Sequence, residues 1–179
     1  MFQLIARQVR GGTLSALLAS AALMIPALPA VAGQTDSYTL PQQSYNQSRA
    51  RNYKVYVPSN VQSPAPMVMA LHGCKQTNND VLNDWGLKAA ADEYGFILVA
   101  PFITSYDGLR NENCWGFWFD HHRHEGSGEV EVLHQIAQAV ESNYTIDANR
   151  RYIPGLSSGG AMATVASVTH NEYWAAAAP

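Results

Sequence analysis

Two short apolar runs, at 67–71 and 96–100, flank a segment with helical spacing, and this arrangement restricts the fold more than any other feature of the chain. Each run is continuous rather than alternating, the pattern of a strand covered on both faces. The first ends at His72-Gly73 and the second at Pro101. Between them Val81, Leu82, Trp85, Ala89 and Ala90 fall inward on a helix predicted over 80–94, with Gly95 as its C-terminal stop. Strands joined by helices of this length run parallel, because a parallel connection needs a crossover.

The remaining pattern extends the same alternation. Tyr53, Val55 and Val57 alternate with polar neighbours as a half-buried strand does, until Pro58 stops it. Ser127 is placed to cap a helix over 128–143, with Val130, Leu133, Ile136, Ala137 and Val140 on one face and Glu129, Glu131, Gln135 and Gln138 towards water. A brief strand at 151–153 precedes a helix of small residues over 159–167, and the apolar run at 173–178 begins another strand. The expected class is α/β, with a mostly parallel sheet and helices on both faces. Residues 102–126 form a long connection without clear period, a kind of segment that often carries function.

The N-terminus is a separate matter. Arg7 and Arg10 precede an uncharged stretch that ends at Ala30-Val31-Ala32. It predicts a secretory signal peptide over 1–32, cleaved after Ala32, with the catalytic domain over 33–179. Pro26 and Pro29 before small residues favour cleavage over a retained anchor. Export predicts an oxidising compartment, in which Cys74 and Cys114 have only each other to pair with. A catalytic thiol at Cys74 beside His72 is the competing reading. The whole chain carries 11 basic and 14 acidic residues, a net charge of −3, which excludes a strongly basic nucleic-acid binder.

Chemistry concentrates in Gly155-Leu156-Ser157-Ser158-Gly159, a G-x-S-x-G pentapeptide between a short strand and a helix. Such a turn holds its nucleophile in a strained backbone and leaves no room for side chains two residues to either side. Glycines at both offsets single out Ser157. Ser158 would need glycine at 156, where leucine stands; its backbone N–H, at the helix start, is instead an oxyanion donor. A second motif, Leu71-His72-Gly73-Cys74-Lys75-Gln76, follows the first buried strand, where an α/β-hydrolase draws its other donor. Gly73 lets the backbone turn inward, so the N–H of Cys74 is that donor. His72, at a strand end before glycine, reads as a structural histidine.

These two motifs, together with Gly95-Phe96-Ile97-Leu98-Val99-Ala100-Pro101, Asn113-Cys114-Trp115 and Gly126-Ser127-Gly128-Glu129-Val130, resemble the extracellular polyhydroxybutyrate depolymerase family. That family is similar to the feruloyl and acetylxylan esterases of the α/β-hydrolase group. The resemblance runs from about Tyr53 to the last residue. It implies a secreted serine esterase acting on a polyester, its oligomers or acylated polysaccharide. Ser157 is then the nucleophile, Ser158 and Cys74 supply the oxyanion N–H groups, and Cys74 pairs with Cys114. Trp115 and Trp118 are candidates for an apolar acyl or polymer pocket, a role that core packing would explain as well.

In α/β-hydrolases an acid and then a histidine follow the serine. Here 22 residues follow Ser157, and they offer only His170 and Glu172. His170 is 13 positions on, roughly 20 Å along a helix, too far to hydrogen-bond the nucleophile. The triad Asp and His are therefore expected beyond Pro179, and the chain is expected to be the N-terminal part of a hydrolase, with little activity alone. No cofactor or metal is expected. His121, His122 and His124 with Glu125 are the residues a non-catalytic metal-binding module would use, although their spacing suits one ion poorly. Asn46-Gln47-Ser48 and Asn143-Tyr144-Thr145 match the glycosylation sequon.

Overall fold

The structure, a computed structural model, describes residues 33–104 and 112–179; the predicted signal peptide lies outside the described residues. One six-stranded sheet organises the chain, in the spatial order β1-β2-β4-β3-β5-β6. Its strands are β1 (Gln34–Leu40), β2 (Arg51–Val57), β3 (Ala65–Met69), β4 (Ile97–Pro101), β5 (Ile146–Pro154) and β6 (Ala176–Ala178). β1 with β2 and β2 with β4 pair antiparallel; β4 with β3, β3 with β5 and β5 with β6 pair parallel. The mixed but mostly parallel sheet of an α/β fold is thus present.

Helices cover both faces. On one side α1 (Asn78–Asp84) and α2 (Leu87–Tyr94) bury Val81, Leu82 and Ala91 against Tyr56, Ala70, Leu98 and Ala100. On the other, α3 (Gly128–Asn143) and α4 (Ser158–Thr169) bury Val130, Leu133, Ile136, Met162 and Ala166 against Val55, Met67, Met69, Val99 and Ile153. β4 is buried at all five positions, which explains its unbroken apolar run. The chain crosses from β3 to β4 on one side of β3 and from β4 to β5 on the other, so the strand order reverses between β3 and β5. In an open parallel sheet that reversal opens a crevice at the carboxyl ends of the two strands.

Several elements differ from expectation for identifiable reasons. The single helix predicted over 80–94 is two, interrupted at Gly86, whose φ of +72° is a left-handed conformation glycine adopts without strain. It starts earlier than expected, because Thr77 and Asp80 form a capping box: the Thr77 hydroxyl accepts from the Asn79 N–H at 3.1 Å, and Asp80 accepts from the Thr77 N–H at 2.7 Å. Gly95, at φ +70°, ends α2 as predicted. β1 was not foreseen; it is an edge strand of mainly exposed polar residues, without an apolar stripe to betray it. Of the run at 173–178 only three residues are strand, while Tyr173 and Trp174 pack into the core.

Two readings of α3 are corrected. Ser127 occupies the N-cap position but its hydroxyl makes no capping bond; it donates to the His121 carbonyl at 2.8 Å. Glu129 does not face water: it is 1% exposed, and Oε2 accepts from the Gly116 N–H at 2.7 Å. A buried carboxylate of this kind satisfies a loop that would otherwise bury unpaired backbone.

Candidate active site

β5 ends at Pro154 and α4 begins at Ser158, so three residues reverse the chain. The turn leaves Ser157 at φ 53° and ψ −118°, a sparsely populated region for a residue with a side chain, and keeps it exposed. The surroundings hold that conformation. The Leu156 N–H donates to the Leu71 carbonyl at 3.1 Å, the Gly155 N–H to Ala178 at 3.0 Å and the Ala161 N–H to Ser157 at 3.0 Å. The flanking glycines are required by contact. A Cβ on Gly155 would strike the Gly159 carbonyl, and one on Gly159 would strike the Leu71 and His72 carbonyl oxygens.

The loop after β3 lies directly against this elbow. The position a Gly73 Cβ would take is 3.3 Å from the Leu156 carbonyl oxygen and 3.5 Å from Ser157 Cβ. Gln76 braces the loop on itself: its Oε1 accepts from the Gly73 N–H at 2.9 Å, and its own N–H donates to the Gly73 carbonyl at 3.2 Å. Lys75 turns at φ 66°. Among the described residues neither the Cys74 nor the Ser158 N–H donates to another protein group. Both donors are free, and Ser158 is the first residue of a 12-residue helix whose dipole presents positive charge there. Gln76 is a residue the sequence reading missed; a side-chain acceptor three residues after a glycine was its only signal.

His72 is structural. It is fully buried; Nδ1 faces the Gly73 carbonyl at 2.8 Å and Nε2 accepts from the Ile103 N–H at 3.2 Å, which fixes the proton on Nδ1. Burial holds its pKa below the ordinary histidine value, so the ring is neutral at pH 7. The loop is also tied from outside. Cys74 is disulfide-bonded to Cys114, 40 residues on, which excludes the thiol nucleophile. Trp115 follows that bridge, its indole N–H donating to the His72 carbonyl at 3.0 Å and its backbone N–H to the Ser158 hydroxyl at 3.3 Å.

Trp115 is 1% exposed in the core, so its indole braces the loop after β3 rather than lining an exposed surface. Trp118 is 44% exposed and packs edge-on against Phe117 at 5.0 Å. Beside the elbow, Trp85, Leu87, Pro154, Gly155 and Leu156 line an apolar groove of about 370 Å³. Leu156, between the two key positions, is half exposed.

The histidines that a metal-binding module would use do not converge. His122 accepts from the Glu129 N–H through Nδ1 and faces the Glu129 carboxylate through Nε2, while His124 pairs with Asp120 at 3.2 Å. His170 caps the far end of α4. Among the described residues, no histidine hydrogen-bonds the Ser157 hydroxyl.

The chain is 30% identical over 179 residues to the poly(3-hydroxyalkanoate) depolymerase C of Paucimonas lemoignei, covering 98% of this chain and 42% of that protein. It is 33% identical over 135 residues to feruloyl esterase B of Neurospora crassa, covering 74% of this chain and 44% of the other. The acetyl xylan esterase structure from Aspergillus awamori superposes with a TM-score of 0.66 at 25% identity, over 79% of this chain and 50% of that one. The chain therefore spans half or less of the length of these relatives. The family model described as "Esterase PHB depolymerase" matches residues 51–178, and the chain belongs to that family.

Proposed function

We propose that the protein is a secreted serine carboxylic-ester hydrolase that cleaves a polyhydroxyalkanoate-type polyester or its oligomers. The observation that carries this reading is the strained, exposed Ser157 at the strand order's reversal, with two unused N–H groups beside it. In attack the Ser157 oxygen adds to the ester carbonyl carbon, its proton passing to a general base, and negative charge develops on the carbonyl oxygen. The Cys74 and Ser158 N–H groups stabilise that charge without reorganising; one such donor typically contributes about 2.7–4 kcal/mol. The tetrahedral adduct collapses to the acyl-enzyme as the ester C–O bond breaks and the alcohol leaves with the proton returned by the base; water then adds to the acyl-enzyme through a second oxyanion held by the same two groups, releasing the acid and freeing Ser157.

Polyester is favoured over other acyl substrates by the apolar groove at Leu156 and by the exposed indole of Trp118, which suit an aliphatic chain. The likeness to a depolymerase across 98% of the chain points the same way. Feruloyl or acetyl groups on polysaccharide are the second reading, supported by the relatives that bear those names. Export is supported by the basic-then-apolar leader and by the Cys74–Cys114 bridge. Among the described residues no helix is long and apolar enough to cross a membrane.

The test uses protein expressed from its complete coding sequence. Ser157 is expected to be labelled by a fluorophosphonate probe, and Ser157→Ala to abolish both labelling and p-nitrophenyl butyrate hydrolysis. Faster turnover of hydroxyalkanoate films than of feruloylated sugars assigns the polyester. Labelling that survives in the alanine variant would remove the hydrolase reading.

A further inference from the structure

Three titratable side chains meet where α4 ends against α3, far from the elbow. Glu131 and His134 stand one turn apart on α3, and His170 is the residue at which α4 stops. One ligand atom from each lies within 4.8 Å of the others. The rings of His134 and His170 are 4.2 Å apart, and Tyr173 packs edge-on against His134 at 4.8 Å.

His170 is what makes this more than a polar patch. It is fully buried, and neither ring nitrogen has a hydrogen-bond partner among the described residues. Carboxylates stand off on both sides: Glu131 Oε2 at 3.5 Å from Nε2 and Glu172 Oε1 at 3.8 Å from Nδ1. A buried imidazole normally finds a partner for each nitrogen. Each nitrogen of this one has a carboxylate oxygen within 4 Å and is hydrogen-bonded to none.

The surroundings suit a cation. Glu131 is oriented by two donors, the Gly126 N–H at 3.0 Å and the Gln135 amide at 3.0 Å. Gln138 lies 3.3 Å from His134 Nε2. If Nε2 of His170 ligates, Nδ1 carries the proton and the carboxylate nearest to it is that of Glu172, 3.8 Å away and beyond hydrogen-bond reach as it stands. Two imidazoles and one carboxylate select a borderline transition ion over Ca²⁺ or Mg²⁺. Tetrahedral zinc with arms of about 2.0–2.1 Å needs ligand atoms about 3.4 Å apart, a closure of up to about 1.4 Å from the arrangement present.

We propose that Glu131, His134 and His170 form a three-ligand site for Zn²⁺ or a similar divalent ion, with water in the fourth position, clamping the C-terminal end of α4 to α3. The site takes no part in ester cleavage, since His170 lies a full helix length from Ser157. It stands or falls independently of the hydrolase reading.

The experiment strips the full-length protein with a chelator and titrates Zn²⁺ by calorimetry against a chromophoric competitor near neutral pH. One equivalent is expected to bind with a Kd of about 1 µM or tighter, with a rise in Tm. His134→Gln, at a partly exposed helical position, is expected to weaken binding about tenfold or more while circular dichroism shows an unchanged fold. The double variant His121→Gln/His124→Gln is expected to bind as the wild type does. Three results would overturn the site: no stoichiometric binding below about 100 µM, binding unaltered in His134→Gln, or binding lost in the double variant.

Discussion

Replacing Gly159 by alanine probes whether contact between the elbow and the loop after β3 sets the reactivity of Ser157. The new Cβ would meet the Leu71 carbonyl oxygen, with the His72 carbonyl oxygen at 2.5 Å and the Leu71 carbonyl carbon at 2.7 Å, where real contacts do not fall below 3.0 Å. All three are backbone atoms, so no rotamer change relieves them. The two segments must part by about 0.5 Å at His72 and by more at Leu71, moving Cys74 away from Ser157. If a misplacement of about 1 Å costs roughly 10²-fold, the labelling rate should fall about 10- to 100-fold, or ~1.4–2.7 kcal/mol of transition-state stabilisation. Stability suffers less: overpacking of about 1–3 kcal/mol is offset by up to ~1 kcal/mol of helix propensity gained over glycine, leaving a Tm drop of no more than about 8 °C. Gly86→Ala is the control. At φ +72° with nothing within 4 Å, it is strained by about 1–2 kcal/mol but touches nothing at the site, so it should lower Tm and leave labelling intact. Fluorophosphonate labelling kinetics and thermal melts, run in parallel, separate the two effects. A folded Gly159→Ala protein that labels within about threefold of wild type would show that the close contact does not position the donor.

Trp115→Phe removes the indole donor to the His72 carbonyl and is expected to cost about 1–3 kcal/mol in urea denaturation. If Trp115 acts by bracing the oxyanion loop, kcat falls by a similar factor for p-nitrophenyl acetate and longer acyl esters; a KM change confined to long chains would instead make it a substrate contact. For pH, the unfolded chain takes up a proton at the ordinary histidine value while the folded chain resists charging His72, so stability falls as pH drops below about 6.5, His72 contributing up to ~1.4 kcal/mol per pH unit. His72→Gln should flatten that acid limb in melts between about pH 5 and 7, and an unchanged slope would refute the assignment.

The parts of the site that sequence reveals are those fixed by backbone sterics. Only glycine fits at 155 and 159 because carbonyl groups of adjacent segments occupy the space, so the pentapeptide carries its own geometry. The buried strands β3 and β4 are legible for a similar reason, since covering both faces demands an unbroken apolar run. β1 obeys no such demand: one edge of it is open and most of its residues are exposed, and pairing with β2 rather than composition makes it a strand. Glu129 was misread because helical periodicity reports which face of α3 packs on the sheet, and nothing about the loop that closes over its first turn.

That loop shows how a segment without period becomes ordered. Between Cys114 and Gly128 the chain forms no strand and one short 3-10 turn, Asp120–His122. Its order comes from ties to distant elements. The bridge to Cys74 closes a 40-residue separation and, by loop-closure entropy, contributes about 4 kcal/mol. Trp115 then bonds back to His72 and Ser158, Gly116 to Glu129, and the His122 ring to the Glu129 backbone. Each tie joins the loop to the segment after β3, to the start of α4 or to the start of α3. The aromatic residues of the segment divide accordingly. Trp115, between the bridge and the buried carboxylate, is drawn inward, and Trp118, three residues past the last tie to the loop after β3, is left to meet solvent. Burial within this stretch follows distance from its anchors, which explains why two tryptophans of one short motif have opposite fates.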